Sequence, residues 1–275
     1  MSRSIFQLLV ICLLAVGVLS CDQADQAVDA ALRVGMDPTY PPFESLDPDG
    51  NPTGVSVDLA IAIAKDLDRP LEIVPLPFDG LITALKTNKI DLILSSMTAN
   101  EKRRQSIDFS EPYVRTGLAL LTSKSSTIEG LDDLKKPGSK VAVRLGTTGE
   151  AFAAAQLPDA RVTTLEDNAA CVMEVVNDRV DAYIYDQLSI FRYHQQHPDT
   201  THALLKPIQE EFWAIGIAKG NDELRSEVNT ALSKIRKSGH FDELADRYLA
   251  KEKASLEAMG VPFIFVREED AGATE

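Results

Sequence analysis

The chain has 275 residues, 44% of them hydrophobic, and a formal net charge of -14. That length supports two compact lobes with a core each, and the composition excludes a fibrous or disordered chain. The acidic balance argues against a nucleic-acid or anionic-membrane surface, because phosphate binding is driven by clustered Lys and Arg; a small solute remains as a partner.

Arg3 precedes an apolar run from Ile5 to Leu19. The run is too short for a membrane span and suits the core of an export signal, which sets residues 1–20 apart from the fold. It ends Val18-Leu19-Ser20-Cys21, similar to a bacterial lipobox, in which the cysteine is lipidated and becomes the mature first residue. Leu19 is unusual there, and ordinary cleavage nearby is the alternative. Asp22 resembles a signal for retention at the inner membrane, and polar residues 21–30 read as a tether. Cys12 leaves with the signal and Cys21 carries lipid, so Cys171 stands alone and no internal disulfide is expected.

In the mature chain, Leu32 to Met36 reads as a first strand, and Asp47 to Gly54 carries a turn signal. Val55, Leu59, Ile63 and Leu67 form the stripe of an amphipathic helix. A strand at Leu71 to Leu76 and a helix through Leu81, Ile82 and Leu85 lead to a short apolar strand, Ile90 to Leu94. This alternation predicts a parallel sheet with helices on both faces. A crossover is placed near Val114 to Gly117. A second alternating unit follows, with strands at Lys140 to Leu145, Arg161 to Thr164 and Ala182 to Tyr185, and helices at Glu150 to Gln156, Asn168 to Val176 and Ser189 to His194. Trp213 to Ala218 is again a strand; Leu224, Val228, Leu232 and Ile235 stripe a long helix, and Phe241, Leu244 and Tyr248 mark a closing one. The expected division is residues 31–116 with 207–260 as one discontinuous lobe, 117–206 as the other, and 261–275 as a tail.

Three junctions carry chemistry. After Leu94 the chain offers the hydroxyls of Ser95, Ser96 and Thr98, and Thr98-Ala-Asn-Glu101 has capping-box spacing. Helix N-termini at the carboxyl ends of strands favour anions, and Arg103 is spaced to reach back and grip a carboxylate. A merely solvated run of Lys102, Arg103 and Arg104 is the plainer reading. Gly146-Thr147-Thr148-Gly149 is a second strand-loop-helix junction, equally readable as a capping turn, and it lacks the phosphate-loop pattern. Asp186 follows an apolar strand, suited to an ammonium or to a helix N-cap. Tyr40 and Phe78 are placed to pack on an aliphatic stem, though each is equally readable as core. The four histidines show no nucleophile-base motif, and no metal-ligand spacing is seen, so neither metal nor cofactor is expected.

With these motifs in order, and with Leu-Arg-Val-Gly-Met-Asp-Pro-Thr-Tyr-Pro-Pro-Phe-Glu, Phe-Ser-Glu-Pro-Tyr, Leu-Gly-Thr-Thr-Gly and Asp181-Ala-Tyr-Ile-Tyr-Asp186, the chain from Leu32 to Leu249 resembles the polar amino-acid-binding branch of the bacterial extracellular solute-binding proteins, family 3. The resemblance implies an α/β, two-lobed periplasmic-binding-protein-like (type II) fold with two crossing hinge strands. It implies Arg103 on the ligand carboxylate with Thr98 and the Thr148 backbone, and Asp186 with the Ser96 and Thr98 region on the α-ammonium. Asp37 would face the ligand side chain, with Tyr40 and Phe78 packed on it. Asp37 leans the expectation toward arginine, lysine, ornithine, histidine or glutamine over glutamate. Arg144 stands where some relatives have an apolar residue. The implied partners are an amino acid and the membrane permease of an ABC transporter, with the protein monomeric, in the periplasm or on the outer face of the cytoplasmic membrane, and attached only through lipid on Cys21. Two alternatives are an enzyme like cyclohexadienyl dehydratase on the same scaffold, with Glu44 and Glu174 available by type, and a ligand-sensing module for a signalling partner.

Overall fold

The computed structural model describes residues 31–258 and 263–266. The expected export signal, the tether, Cys21 and the rest of the tail lie outside those residues. The strands are β1 (Leu32–Met36), β2 (Ser45–Leu46), β3 (Pro52–Thr53), β4 (Leu71–Pro75), β5 (Leu92–Ile93), β6 (Ile107–Ser123), β7 (Lys140–Arg144), β8 (Arg161–Leu165), β9 (Ala182–Asp186) and β10 (Thr201–Ala218). The helices are α1 (Val55–Asp66), α2 (Leu81–Lys86), α3 (Glu101–Arg104), α4 (Leu131–Leu134), α5 (Thr148–Gln156), α6 (Asn168–Val176), α7 (Gln187–Gln196), α8 (Asp222–Lys237), α9 (His240–Tyr248) and α10 (Ala250–Ala258).

One eight-stranded sheet runs β4-β1-β5-β10-β6-β9-β7-β8, and β2 and β3 form a separate hairpin. The outer parts are parallel as expected: β1 pairs with β4 and β5, and β7 with β8 and β9. The middle corrects the expectation of an all-parallel sheet, because β6 and β10 run antiparallel to each other, to β9 and to β5. The reason is connectivity: a strand that leaves one parallel set for the other, and one that returns, meet in opposite directions. The carboxyl-terminal part of β10 pairs with β5 and carries the amino-terminal part of β6 on its other side, and the carboxyl-terminal part of β6 pairs with β9.

The helical stripes go where their periods send them. Leu224, Val228, Ala231, Leu232 and Ile235 of α8 are buried, and the Asn221 side chain accepts from the Leu224 N–H to cap the helix. Gly239, at a φ of 77°, lets the chain turn from α8 into α9. One apolar cluster joins Leu81, Leu85, Ile93, Ile107 and Phe109; another joins Leu118, Leu120, Val141, Val143, Phe152 and Ile184. Beyond α10, the Arg115 N–H donates to the Ile264 carbonyl at 2.7 Å and the Val266 N–H to the Tyr113 carbonyl at 3.1 Å. The tail segment thus lies along an edge of β6, a role its sequence did not reveal.

This topology concentrates polar groups at one place. Asp37 follows β1, Ser95 and Ser96 follow β5, Thr147 and Thr148 follow β7, and Asp186 ends β9. All stand at carboxyl ends of parallel strands, where open α/β sheets bind ligands.

Candidate ligand-binding site

A cavity with about 450 Å³ of space between atoms, its open mouth included, is lined by Asp37, Tyr40, Phe78, Ser95, Ser96, Thr98, Arg103, Thr147, Thr148 and Asp186. Gly146 does not line it but joins it through its carbonyl, which accepts from Arg103 Nη2 at 3.0 Å. Glu44, Leu118, Arg144, Tyr185, Glu211 and Trp213 complete the wall.

The opening of α3 differs from the expected capping box. Asn100, not Thr98, is the N-cap, and its side chain accepts from the Arg103 N–H at 2.9 Å. Thr98 stays extended because it bridges to Trp213, while the Ala99 N–H donates to the Phe212 carbonyl. The helix spans only Glu101–Arg104. The guanidinium of Arg103, rather than a helix dipole, is therefore the cationic feature here. It is 8% exposed, its Nη1 donates to the Thr98 carbonyl at 2.8 Å, and it stacks over Phe78 at 5.4 Å. No described carboxylate lies within ion-pair distance of it. Burial lowers its pKa to about 10, with the field of Glu211 opposing the fall.

Asp186 is the opposite case. It caps α7 by accepting from the Ser189 N–H at 3.0 Å, and it lines the cavity while 6% exposed. The N-cap reading holds, and the same residue faces the cavity. Burial raises its pKa, against hydrogen bonding from Tyr40 and Ser189, and no described cation pairs with it. Tyr40 packs edge-on against Tyr185 and Trp213, with centroids at 6.0 and 5.8 Å, and accepts the Ser189 hydroxyl at 2.9 Å.

Elsewhere the charges meet. Arg144 of β7 forms a buried ion pair with Asp37 of the other strand set, and its Nε donates to the Glu166 carbonyl at 3.1 Å. Its guanidinium also lies over Phe78, 5.8 Å from the ring centroid. Burial opposes the Arg144 charge, but Tyr185 and Asp37 outweigh it and raise the pKa. The Asp37 N–H donates to Ser95 Oγ at 2.9 Å.

Two buried carboxyls escaped the sequence reading of the binding groups. Glu44, 1% exposed, accepts from Ser56 Oγ at 2.5 Å and from Ser96 Oγ at 3.1 Å. Burial pushes its pKa up to about 8, the serine hydroxyls pulling the other way, so it is mostly protonated at neutral pH. Glu211, on β10, accepts at one oxygen from Thr98 Oγ1 at 2.9 Å and Thr148 Oγ1 at 3.0 Å. Burial raises its pKa against those bonds. Glu44 ends the Pro-Pro-Phe-Glu motif, where its residue type suggests only a catalytic group; Glu211 carries no local signal, since only the path of β10 brings it to the cavity. Glu174 is not on the wall and pairs with Arg179 at 2.9 Å.

Residues 32–251 match the profile of the bacterial extracellular solute-binding proteins, family 3. The chain belongs to that family. Among its relatives, a probable histidine-binding protein of Neisseria gonorrhoeae is 33% identical over 225 residues, covering 80% of this chain and 83% of the relative. The crystal structure of an ancestral amino acid-binding protein, a precursor of cyclohexadienyl dehydratase, is 39% identical with a TM-score of 0.72, covering 79% of this chain and 95% of that one. An ancestral arginine-binding protein bound to arginine is 35% identical with a TM-score of 0.75, covering 81% and 99%. The fold of this family 3 protein is accordingly the two-lobed α/β type II arrangement. No helix among the described residues is long and apolar enough to cross a membrane.

Proposed function

We propose that this family 3 protein is the substrate-binding component of an amino-acid ABC transporter, capturing a polar or cationic L-amino acid by closure of two lobes. The observation that carries the reading is a buried cation, Arg103, and a buried anion, Asp186, on the wall of one cavity with no described ion-pair partner for either. Burying an unpaired charge is costly, and a zwitterion with a carboxylate for Arg103 and an ammonium for Asp186 removes both costs at once. The histidine- and arginine-binding relatives support the same ligand class.

In this reading residues 31–116 and 207–260 move as one lobe and 117–206 as the other, turning about β6 and β10. Thr98, Ser96 and Thr148 assist at the zwitterion, and Tyr40 and Phe78 flank the stem. Asp37 faces the side chain, but Arg144 already neutralises it, so a neutral hydrogen-bonding side chain such as that of glutamine fits without rearranging charge. A cationic side chain enters by displacing Arg144 or by drawing Glu44 into its ionised form. The protein acts as a monomer outside the cytoplasmic membrane, held by lipid on Cys21 and delivering its ligand to a permease.

Catalysis is the second reading, and one observation favours it: Glu44 is a buried, protonated carboxyl on the cavity wall, the kind of group an elimination requires as an acid. Turnover of prephenate or arogenate by the purified protein decides for it, and its absence against it. The binding reading is tested by a thermal-shift screen of the twenty L-amino acids with ornithine and citrulline, because a ligand that prefers the native state raises its melting temperature. A rise with at least one polar or cationic amino acid is expected; no rise with any would overturn the reading.

A further inference from the structure

We infer that Glu211 is a built-in competitor for the ligand's carboxylate, and that seating an amino acid transfers a proton from solvent onto it. The inference rests on the zwitterion reading above and on a conflict in the hydrogen bonding. A threonine hydroxyl has one proton to donate. Thr98, from the loop after β5, and Thr148, the first residue of α5, both spend theirs on the same oxygen of Glu211. These are two of the groups assigned to the zwitterion. Gln209 Nε2 holds the other Glu211 oxygen at 3.0 Å, and the residue is 3% exposed on a strand paired on its β6 side, so the side chain has little room to withdraw.

An incoming carboxylate therefore arrives beside a second carboxylate that shares its donors and its nearest cation, Arg103. Two carboxylates in one low-dielectric site do not both stay ionised. Protonation resolves the conflict: the new O–H of Glu211 donates to the ligand carboxylate, and the threonine hydroxyls are freed to do the same. Besides Arg103, the other titratable or charged groups on this cavity are Asp37, Tyr40, Glu44, Arg144, Tyr185 and Asp186. Burial pushes the Glu44 carboxyl up to about 8, and a cationic side chain drives it the opposite way, toward proton release. The two carboxyls are thus separable by variant.

The sign follows from linkage. If the bound state holds more protons than the free state, affinity falls as pH rises. The probe is the L-amino acid that gives the largest thermal shift among the twenty, titrated calorimetrically in phosphate and in Tris so that buffer ionisation heat reports protons taken up. The wild-type protein is expected to take up close to one proton more per ligand than Glu211→Gln does, and to bind about tenfold more weakly at about pH 8.5 than at about pH 6. Glu211→Gln, which keeps the shape and supplies an N–H donor, is expected to bind more tightly than wild type at the higher pH and to lose most of the pH dependence. Glu44→Gln, measured in parallel, is expected to retain it. An amino acid that binds with the same proton count and pH profile in wild type and Glu211→Gln overturns this inference alone. Should Glu211→Gln not fold, proton uptake by Glu44→Gln decides: uptake supports the role of Glu211 and none overturns it. If no amino acid binds the wild type, the zwitterion reading falls and this inference falls with it.

Discussion

The cavity has two ends that treat charge in opposite ways. At one, Asp37 and Arg144 come from different strand sets and cancel each other. At the other, Arg103 and Asp186 are as deeply buried but find no described counter-ion. The first arrangement is self-sufficient in an empty protein, and its value is in joining the two halves. The second is a standing electrostatic cost that, on the proposed reading, a dipolar guest relieves. On the proposed reading the contrast separates what closes the molecule from what selects the ligand's backbone, and the variants at Arg103 and Arg144 each act on one side of it.

The largest effect is expected at the unpaired end. Removing one partner of a buried, liganded charge pair costs roughly 3 to 5 kcal/mol, so Arg103→Ala should weaken amino-acid binding about a hundredfold or more, measured by calorimetric titration. The empty protein should meanwhile lose only what the bonds of Arg103 to the Thr98 and Gly146 carbonyls and its contact with Phe78 supply, since there is no ion pair to lose; an unchanged affinity removes Arg103 from the site.

Glu44 comes next and acts on stability. Its carboxyl is held near a pKa of about 8 in the native state against 4.5 as its ordinary value. The unfolded chain therefore releases this proton across that window while the native state keeps it, and stability falls as pH rises through it. A native carboxyl so shifted is worth on the order of a few kcal/mol across the window. Denaturant melts at a series of pH values should show the decline in wild type and a flatter profile in Glu44→Gln.

At the paired end, Arg144→Leu leaves Asp37 buried and uncompensated, and should lower stability by about 3 to 5 kcal/mol. It should also move ligand preference toward arginine and lysine, because the vacated carboxylate accepts a cation. Asp37→Asn combined with Arg144→Leu should recover much of the lost stability but not the new preference; equal preference in all forms would contradict the assignment of Asp37 to the side-chain end. The smallest effect belongs to the segment along β6: truncation before Phe263 should cost about 1 kcal/mol, read as a small drop in melting temperature, because it unpairs a few backbone groups and exposes one face of Phe241.

What the sequence revealed of this site follows from how local each signal is. Arg103 was legible because a guanidinium five positions past Thr98 reaches back to that residue's own carbonyl, a contact set by local geometry. The periods of α1 and α8 likewise declared their buried faces. The Asp37 to Arg144 pair links positions far apart in the chain and depends on two strands from different sets facing each other. Glu211 depends on the course of β10, whose sequence shows extended pattern at Leu204-Leu205 and from Trp213 but not between them, although the strand runs from Thr201 to Ala218. The capping box failed for a tertiary reason: Thr98 and Asn100 are both good caps, and the bridge of Thr98 to Trp213 settles the choice.

The most direct test compares one bound amino acid with its decarboxylated amine and its deaminated acid, titrated separately into the wild-type protein. If Arg103 and Asp186 grip opposite ends of a zwitterion, each analogue should bind about a hundredfold or more weakly than the parent. An amine or an acid that binds as tightly as the amino acid would contradict the account.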